Sequence, residues 1–346
     1  MLFNEGTLEK AFKYVCKKRI GYSHNNDIWD LKLTWNREKQ QLYEQLNSGT
    51  YSFEPVRKIT SESGTLEIWS SRDAVVLKAL EMMLSERIRS ELSAKCCHIK
   101  GNRGSKKAVR SVYNHLNDFK YVMKTDVQKY YASIDHEVLF EIIEKYVTET
   151  RLLRLLYQYL KRIEYKDGFY REVERGICRG SPVSPLLGAL YLKALDDAME
   201  KSDVFYIRYM DDWVIMAKNR WIFRRVVRKV NKMLSGLKLK KADDKTFIGK
   251  IERGFDFLGY HFSPDGLSLA EKTVHNFAER LSLRCYASGQ KSGLNCECKT
   301  IGLDNSQHYM YSSVSDYIRR WLNWVNGGLK GIRVNISWMT NIVAFT

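Results

Sequence analysis

Proline is scarce, with four residues in a chain of 346. That excludes proline-rich spacers, and no low-complexity linker or internal repeat is visible. An apolar run of the roughly 20 residues needed to cross a bilayer is also missing. The N-terminus, Met1-Leu2-Phe3-Asn4-Glu5-Gly6, has neither the basic stretch nor the apolar block of a secretory signal. A cytoplasmic location with no membrane partner is the expectation. Seven cysteines (Cys16, Cys96, Cys97, Cys178, Cys285, Cys296, Cys298) are an odd, scattered set. In a reducing compartment they read as free thiols rather than a disulfide framework. Cys285, Cys296 and Cys298, with His308 beyond, lack the second ligand pair of a zinc site and read as a polar loop. Acids are short too: 40 Asp and Glu face 57 Lys and Arg, a net charge of +17. Such an excess favours a polyanionic partner, because each phosphate neutralised releases condensed counterions. No basic amphipathic helix or lipidation motif points to a membrane surface, so nucleic acid is the better partner.

What is present alternates between helical and extended patterns. Leu31–Leu46 has helical spacing and stops at Asn47-Ser48-Gly49. Tyr51–Ile59 and Thr65–Ser70 read as a hairpin joined through Glu62-Ser63-Gly64, followed by a long helix from Asp73 to Leu92. A basic loop, Lys100-Gly101-Asn102-Arg103-Gly104-Ser105-Lys106-Lys107, comes next. Tyr121–Val127 reads as a strand; His136–Tyr146, Leu152–Leu160 and Pro185–Met199 read as helices. Phe205–Tyr209 and Trp213–Ala217 are short apolar strands, Ile222–Leu237 a helix, Phe255–Phe262 a strand. The tail is helical over Glu271–Leu283 and Val314–Val325. The class is α+β.

The sharpest feature is Tyr209-Met210-Asp211-Asp212, which joins two strands through a turn too short for anything but a tight hairpin. Adjacent acids repel, more strongly when partly buried, and a divalent cation removes that penalty. Asp126 ends the strand that begins at Tyr121 and can lie beside the hairpin in one sheet. Three carboxylates on one point suit phosphoryl transfer by two Mg²⁺ ions about 4 Å apart, with hard oxygen ligands.

These motifs, in order from about residue 50 to 325, resemble the prokaryotic reverse transcriptases of the group II intron-like lineage. Asp126 matches the family's first catalytic aspartate, and Tyr209-Met210-Asp211-Asp212 its Y-x-D-D box. Gly176-Ile177-Cys178-Arg179-Gly180-Ser181-Pro182-Val183-Ser184-Pro185-Leu186-Leu187 is similar to the motif that contacts the incoming nucleotide. Lys245 matches the lysine of the following motif, and Phe255-Asp256-Phe257-Leu258-Gly259-Tyr260 the primer grip. Ser71-Arg72-Asp73 and Lys100-Gly101-Asn102-Arg103 resemble basic finger motifs.

The resemblance implies a right-hand fold: an N-terminal extension and fingers over 1–118, a palm over 119–262 with part of the fingers returning near 150–180, and a helical thumb and tail over 263–346. It implies RNA-directed DNA synthesis by Asp126, Asp211 and Asp212, which with Val127 would hold two Mg²⁺ ions, Mn²⁺ being the alternative. Arg72, Lys100, Arg103, Tyr131, Arg179, Gly180 and Lys245 would meet the deoxynucleoside triphosphate, Tyr131 excluding the ribose 2′-hydroxyl. Lys106, Lys107, Tyr209, Met210, Leu258, Gly259, Arg319 and Arg320 would contact the RNA template and DNA product. The bacterial members linked to antiviral defence, which work with a structured non-coding RNA encoded nearby, are the most similar group.

Two positions depart from the family. Cys178-Arg179 replaces its Pro-Gln, and Thr65-Leu66-Glu67 stands where related fingers are basic. Among the remaining candidates, Tyr317, Trp321 and Trp324 read as core aromatics of the thumb, Asp135 as a helix N-cap, and Asp196 and Asp197 as surface charge. The cations of Val227–Lys241 fit either a solvated helix face or a phosphate path. Template-independent or protein-primed synthesis, and an RNA-binding maturase-like protein with a vestigial site, are the competing functions.

Overall fold

The computed structural model describes residues 2–61, 64–287 and 314–336. Two helices open it, α1 (Glu5–Lys18) and α2 (Ile28–Ser48). The Asn4 side chain caps α1 by accepting from the Thr7 N–H, and α2 ends at Gly49 in the left-handed conformation. A hairpin of β1 (Val56–Ser61) and β2 (Gly64–Ile68) leads into α3 (Ser71–Ile88). Then come α4 (Gly104–His115), β3 (Tyr121–Thr125), α5 (Tyr130–Ser133), α6 (His136–Glu144) and α7 (Thr150–Leu160). The hairpin of β4 (Ile163–Lys166) and β5 (Phe169–Glu172) precedes α8 (Ser184–Tyr191) and α9 (Lys193–Glu200). A third hairpin, β6 (Phe205–Tyr209) with β7 (Asp212–Ala217), is followed by α10 (Arg220–Gly236) and β8 (Phe247–Lys250). The rest comprises β9 (Phe255–Phe257), β10 (Tyr260–Ser263), β11 (Gly266–Leu269), α11 (Glu271–Ala287), α12 (Val314–Asn326) and β12 (Val334–Asn335).

Three four-stranded sheets result, ordered β2-β1-β4-β5, β6-β7-β3-β8 and β12-β11-β10-β9. The second is the central one. All of β7 beyond Asp212 is buried, as are Val122 and Met123 of β3, because helices and the third sheet cover both faces. Its register pairs Thr125 with Trp213 and Tyr121 with Ala217. Asp126 therefore stands at the same end of the sheet as Asp212, and Tyr121 at the other. No helix among the described residues is long and apolar enough to cross a membrane.

Four expectations are corrected. The basic loop is half helix, since Gly104 to Lys107 form the first turn of α4. The single helix expected over Pro185–Met199 breaks at Leu192, where the periodicity runs on and no Gly or Pro marks the interruption. Phe255–Phe262 is two strands around Leu258 (φ 50°) and Gly259 (φ 87°), a two-residue turn of the type that suits the twist of a hairpin. Leucine rarely adopts that conformation, which hid the turn. Asp196, read as surface charge, is fully buried. It lies on the stripe Leu192–Asp196–Met199, whose spacing belongs to the apolar face of α9. Cys296, Cys298 and His308 lie outside the described residues, and Cys285 is a half-buried thiol.

Candidate active site

The turn between β6 and β7 consists of Met210 and Asp211, with Tyr209 paired to Asp212. Met210 has φ 56°, a left-handed conformation normally left to glycine in such a hairpin and costing about 1–3 kcal/mol for another residue. Strain of this size persists only where the surroundings over-determine the backbone. Here both polar groups of Met210 are clamped. Its N–H donates to His98 Nδ1 at 2.9 Å, and its carbonyl accepts from Arg208 at 2.7 Å. His98 in turn donates from Nε2 to the Pro185 carbonyl at 3.1 Å, which fixes the neutral tautomer. Burial, with the Arg208 charge adding to it, pushes His98 down to about 4, in keeping with that role.

Arg208 is itself fully buried. Its guanidinium meets Asp196 through two hydrogen bonds, one of 2.7 Å from Nε, and Asp196 also accepts from the Tyr206 hydroxyl at 2.6 Å. A buried charge is tolerated only when paired and hydrogen-bonded in this way. The turn thus rests on α9 through Asp196 and on the segment before α4 through His98.

The carboxylates meet unequally. Asp126 and Asp211 interact side chain to side chain, and Asp211 is pushed up to about 7 by burial, by Asp126, and then by Asp212. Asp212 also rises to about 7, through burial first and the Asp126 charge, against the pull of Lys124 and Lys245. Lys245 donates to Asp126 Oδ2 at 2.7 Å, and Lys124 Nζ stands 3.4 Å from Asp212 Oδ1 without hydrogen-bond alignment. The segment carrying Lys245 is laced to the end of β3, the Ala242 N–H donating to the Asp126 carbonyl at 2.9 Å. As the side chains stand, no three acids, histidines or cysteines among the described residues close on one ion position. Convergence is therefore looser than the sequence implies. Yet Asp126 Oδ1 and Asp212 Oδ1 are buried oxygens without a hydrogen-bond partner. Orphaned acceptors beside two carboxyls of raised pKa fit a hard divalent cation, which takes oxygen ligands and relieves their repulsion.

A scan against protein-family models matches residues 69–262 to the reverse transcriptase (RNA-dependent DNA polymerase) family, more than half of the chain. The chain belongs to that family. Its mixed α+β architecture is accordingly the right-hand polymerase fold. The reverse transcriptase is 25% identical to Protein YkfC of Escherichia coli K12 over 268 residues, 64% of this chain and 70% of that protein. It is 22% identical to the putative COX1/OXI3 intron 1 protein of Saccharomyces cerevisiae over 281 residues, 75% of this chain and 33% of the relative. Group II intron-encoded protein LtrA of Lactococcus lactis is 23% identical over 164 residues, 45% of this chain and 27% of LtrA. The chain thus spans a third or less of these two intron proteins. Divalent metals are general in this family.

Other expected site residues of the reverse transcriptase divide into two groups. Tyr131 lies with the carboxylates: burial, the Asp211 charge and then Tyr209 push its hydroxyl up to about 12, and the Arg179 charge opposes them. Arg179 and Gly180 are exposed, and Gly180 has φ 93°. Gly188 leaves room for the Tyr131 ring, since a Cβ there would lie 3.0 Å from it and 3.2 Å from that of Tyr130. Tyr130 is core, donating to the Gly188 carbonyl at 2.6 Å. The Cys178 side of the Pro-Gln replacement points inward. Its thiol accepts from the Trp69 indole at 3.1 Å, and burial raises it to about 12, which makes it inert.

Most of the second group is spent on structure. Arg72 donates to Glu38 at 3.1 Å and Gln45 at 2.9 Å, so its guanidinium ties α3 to α2. Lys106, expected at nucleic acid, lies against the rings of Tyr260 and Trp324 at 4.7 and 4.5 Å. It donates to the Tyr260 hydroxyl and the Trp324 carbonyl, fastening α4 to β10 and α12. Burial lowers it to about 8, while ring faces and carbonyl oxygens favour its charged form. Lys107 donates to the Ala94 carbonyl at 3.1 Å. Lys100 and Arg103 are exposed, and Arg319 pairs with Asp316 at 3.3 Å on the outside of α12. Arg320 donates to the Asp316 carbonyl at 3.2 Å. Glu67, the acidic departure in β2, grips buried Arg162 with bonds of 2.6 and 2.9 Å. His98, Lys124 and the Arg208–Asp196 pair escaped the sequence reading. An arginine inside the apolar strand Phe205–Tyr209 was the available signal, because it demands a buried counter-charge.

Proposed function

We propose that the chain is an RNA-directed DNA polymerase that copies an RNA template into complementary DNA from deoxynucleoside triphosphates. The observation that carries this reading is the strained, doubly clamped Met210-Asp211 turn, which sets Asp211 against Asp126 and leaves buried carboxylate oxygens without partners. Asp126, Asp211 and Asp212, with Val127, are the residues to hold two Mg²⁺ ions. Once bound, the ions would supply activation of the primer hydroxyl and charge stabilisation for the triphosphate. The chain's own part is to orient. Lys245 and Lys124 balance the acids, Arg179 presents an exposed cation beside Tyr131, and Tyr131 offers a rigid wall to the nucleotide sugar. The template is proposed to be a structured non-coding RNA and the setting bacterial antiviral defence in the cytoplasm, supported by the +17 charge and the family likeness.

The test is primer extension by purified protein on a defined RNA template with Mg²⁺, plus sequencing of the RNA and DNA that copurify. Template-dependent complementary DNA is the expected product. DNA made without a template, or RNA binding without synthesis, contradicts the proposal and points to the non-templated and vestigial readings respectively.

A further inference from the structure

The end of the central sheet opposite the carboxylates carries a groove that the catalytic reading leaves unused. Its cavity of about 460 Å³ is lined by Tyr121, Phe223, Arg220, Arg224, Lys250 and Arg253, among others. The four cations are exposed, and Arg220, Arg224 and Arg253 have no acidic partner among the described residues. Lys250 has one distant partner, exposed Glu252 at 3.5 Å. Tyr121 and Phe223 stack at 5.6 Å to form an apolar floor, and Ile248 beside them is 43% exposed. On the adjoining face of the first turn of α10 stands Trp221, 79% exposed, a large apolar ring with nothing covering it. Asn219 caps this turn by accepting from the Trp221 and Ile222 N–H groups, so the site has a rigid base.

Solvation alone accounts for exposed arginines, but not for an exposed tryptophan among them. Unpaired cations around a cleft repel one another and attract a polyanion. A bare aromatic beside them is the stacking platform on which single-stranded nucleic acid rests, whatever its sequence. The groove begins where β3 begins, at Tyr121, and the carboxylates lie where β3 ends, about 17 Å away at ~3.3 Å per residue. A strand held here is therefore not the segment being copied.

We propose that this groove is a second nucleic-acid site, which holds an unpaired stretch of RNA through its phosphates on Arg220, Arg224, Lys250 and Arg253 and through a base stacked on Trp221. The choice of RNA over another polyanion rests on the polymerase reading. The probe is a fluorescein-labelled oligo(U) RNA, titrated into protein already saturated with an annealed RNA–DNA primer–template. Wild type binds it as a second ligand. Arg220→Ala/Arg224→Ala weakens that binding at least roughly tenfold and lowers the log–log salt slope by about 1.4, two contacts at ~0.7 each. Trp221→Ala weakens it roughly tenfold through lost stacking. Extension of a short annealed primer is unchanged in both variants. An affinity and salt slope unaffected by the double substitution overturn the proposal, as does full competition by the primer–template. Self-association that depends on Trp221, with oligo(U) binding intact, overturns it too and makes the face an interface between copies. Failure of the polymerase reading is separate: wild type then extends no primer, whatever the oligo(U) titration gives.

Discussion

The two ends of the central sheet are built on opposite principles. At the end of β3 three acids crowd together, the backbone of Met210 is strained, and both polar groups of that residue are held by named partners. Where β3 begins, cations and Trp221 stand in the open with almost no partners. Positioning reacting groups demands rigidity, and rigidity is obtained by burying Arg208 against Asp196 and wedging His98 under the turn. Recognition of a flexible polymer demands charge and access instead. One end is consequently sensitive to single deletions, and the other is tolerant.

The largest contrast should come from Arg208 against Arg224. Arg208→Ala leaves Asp196 buried without its partner and should cost about 3–5 kcal/mol in urea unfolding. Arg224→Ala, on the exposed face of α10, should stay within about 0.5 kcal/mol of wild type. Equal costs would erase the distinction between the two ends. Sugar selection comes next. Tyr131→Ala should lower the dATP/ATP ratio of kcat/KM on one RNA template by roughly tenfold or more, each tenfold being about 1.4 kcal/mol. An unchanged ratio would make Tyr131 a packing residue like its neighbour Tyr130.

His98→Ala sharpens the comparison at the turn itself. It leaves the Met210 N–H unpaired, worth about 1–3 kcal/mol, and should lower kcat while RNA affinity and KM for dNTP hold. A change confined to KM would place His98 in substrate binding instead. The smallest effect concerns pH. Asp212 is raised from 3.8 to about 7, so between those values the folded protein keeps a proton that the unfolded chain has released. Metal-free stability should therefore fall as pH rises through this window. Asp212→Asn, which cannot ionise, should raise Tm at pH 8 and leave it near wild type at pH 4, as read by calorimetry in chelator. A gain equal at both pH values would locate the effect outside the titration.

Much of this was legible in the sequence. The three-residue separation of Phe205–Tyr209 from Trp213–Ala217 implies a hairpin, and the strand ending at Asp126 can lie beside it, where the structure pairs β3 with β7. The N-cap role of Asp135 follows from its place before His136, and its side chain does accept from the Val138 N–H at 3.2 Å. What escaped depends on tertiary partners. Arg72 and Lys106 look like free phosphate-binding cations in one dimension, and only packing shows them committed to Glu38 and to the Tyr260–Trp324 rings. The roles of Asp196 and His98 were hidden for the same reason: Asp196 acts on Tyr206 and Arg208, 10 and 12 positions away, and His98 on Met210, 112 positions away. The break at Leu192 has no local signal at all.

The central claim is that Asp126 and Asp211 act together on the reacting phosphate. Single-turnover primer extension on an RNA template, run with Asp126→Asn and Asp211→Asn beside wild type and paired with RNA-binding isotherms, tests it most directly. Both variants should lose extension almost completely, while RNA affinity stays at the wild-type value, since the cations that attract RNA are untouched. Extension by Asp126→Asn at near wild-type rate would contradict the account.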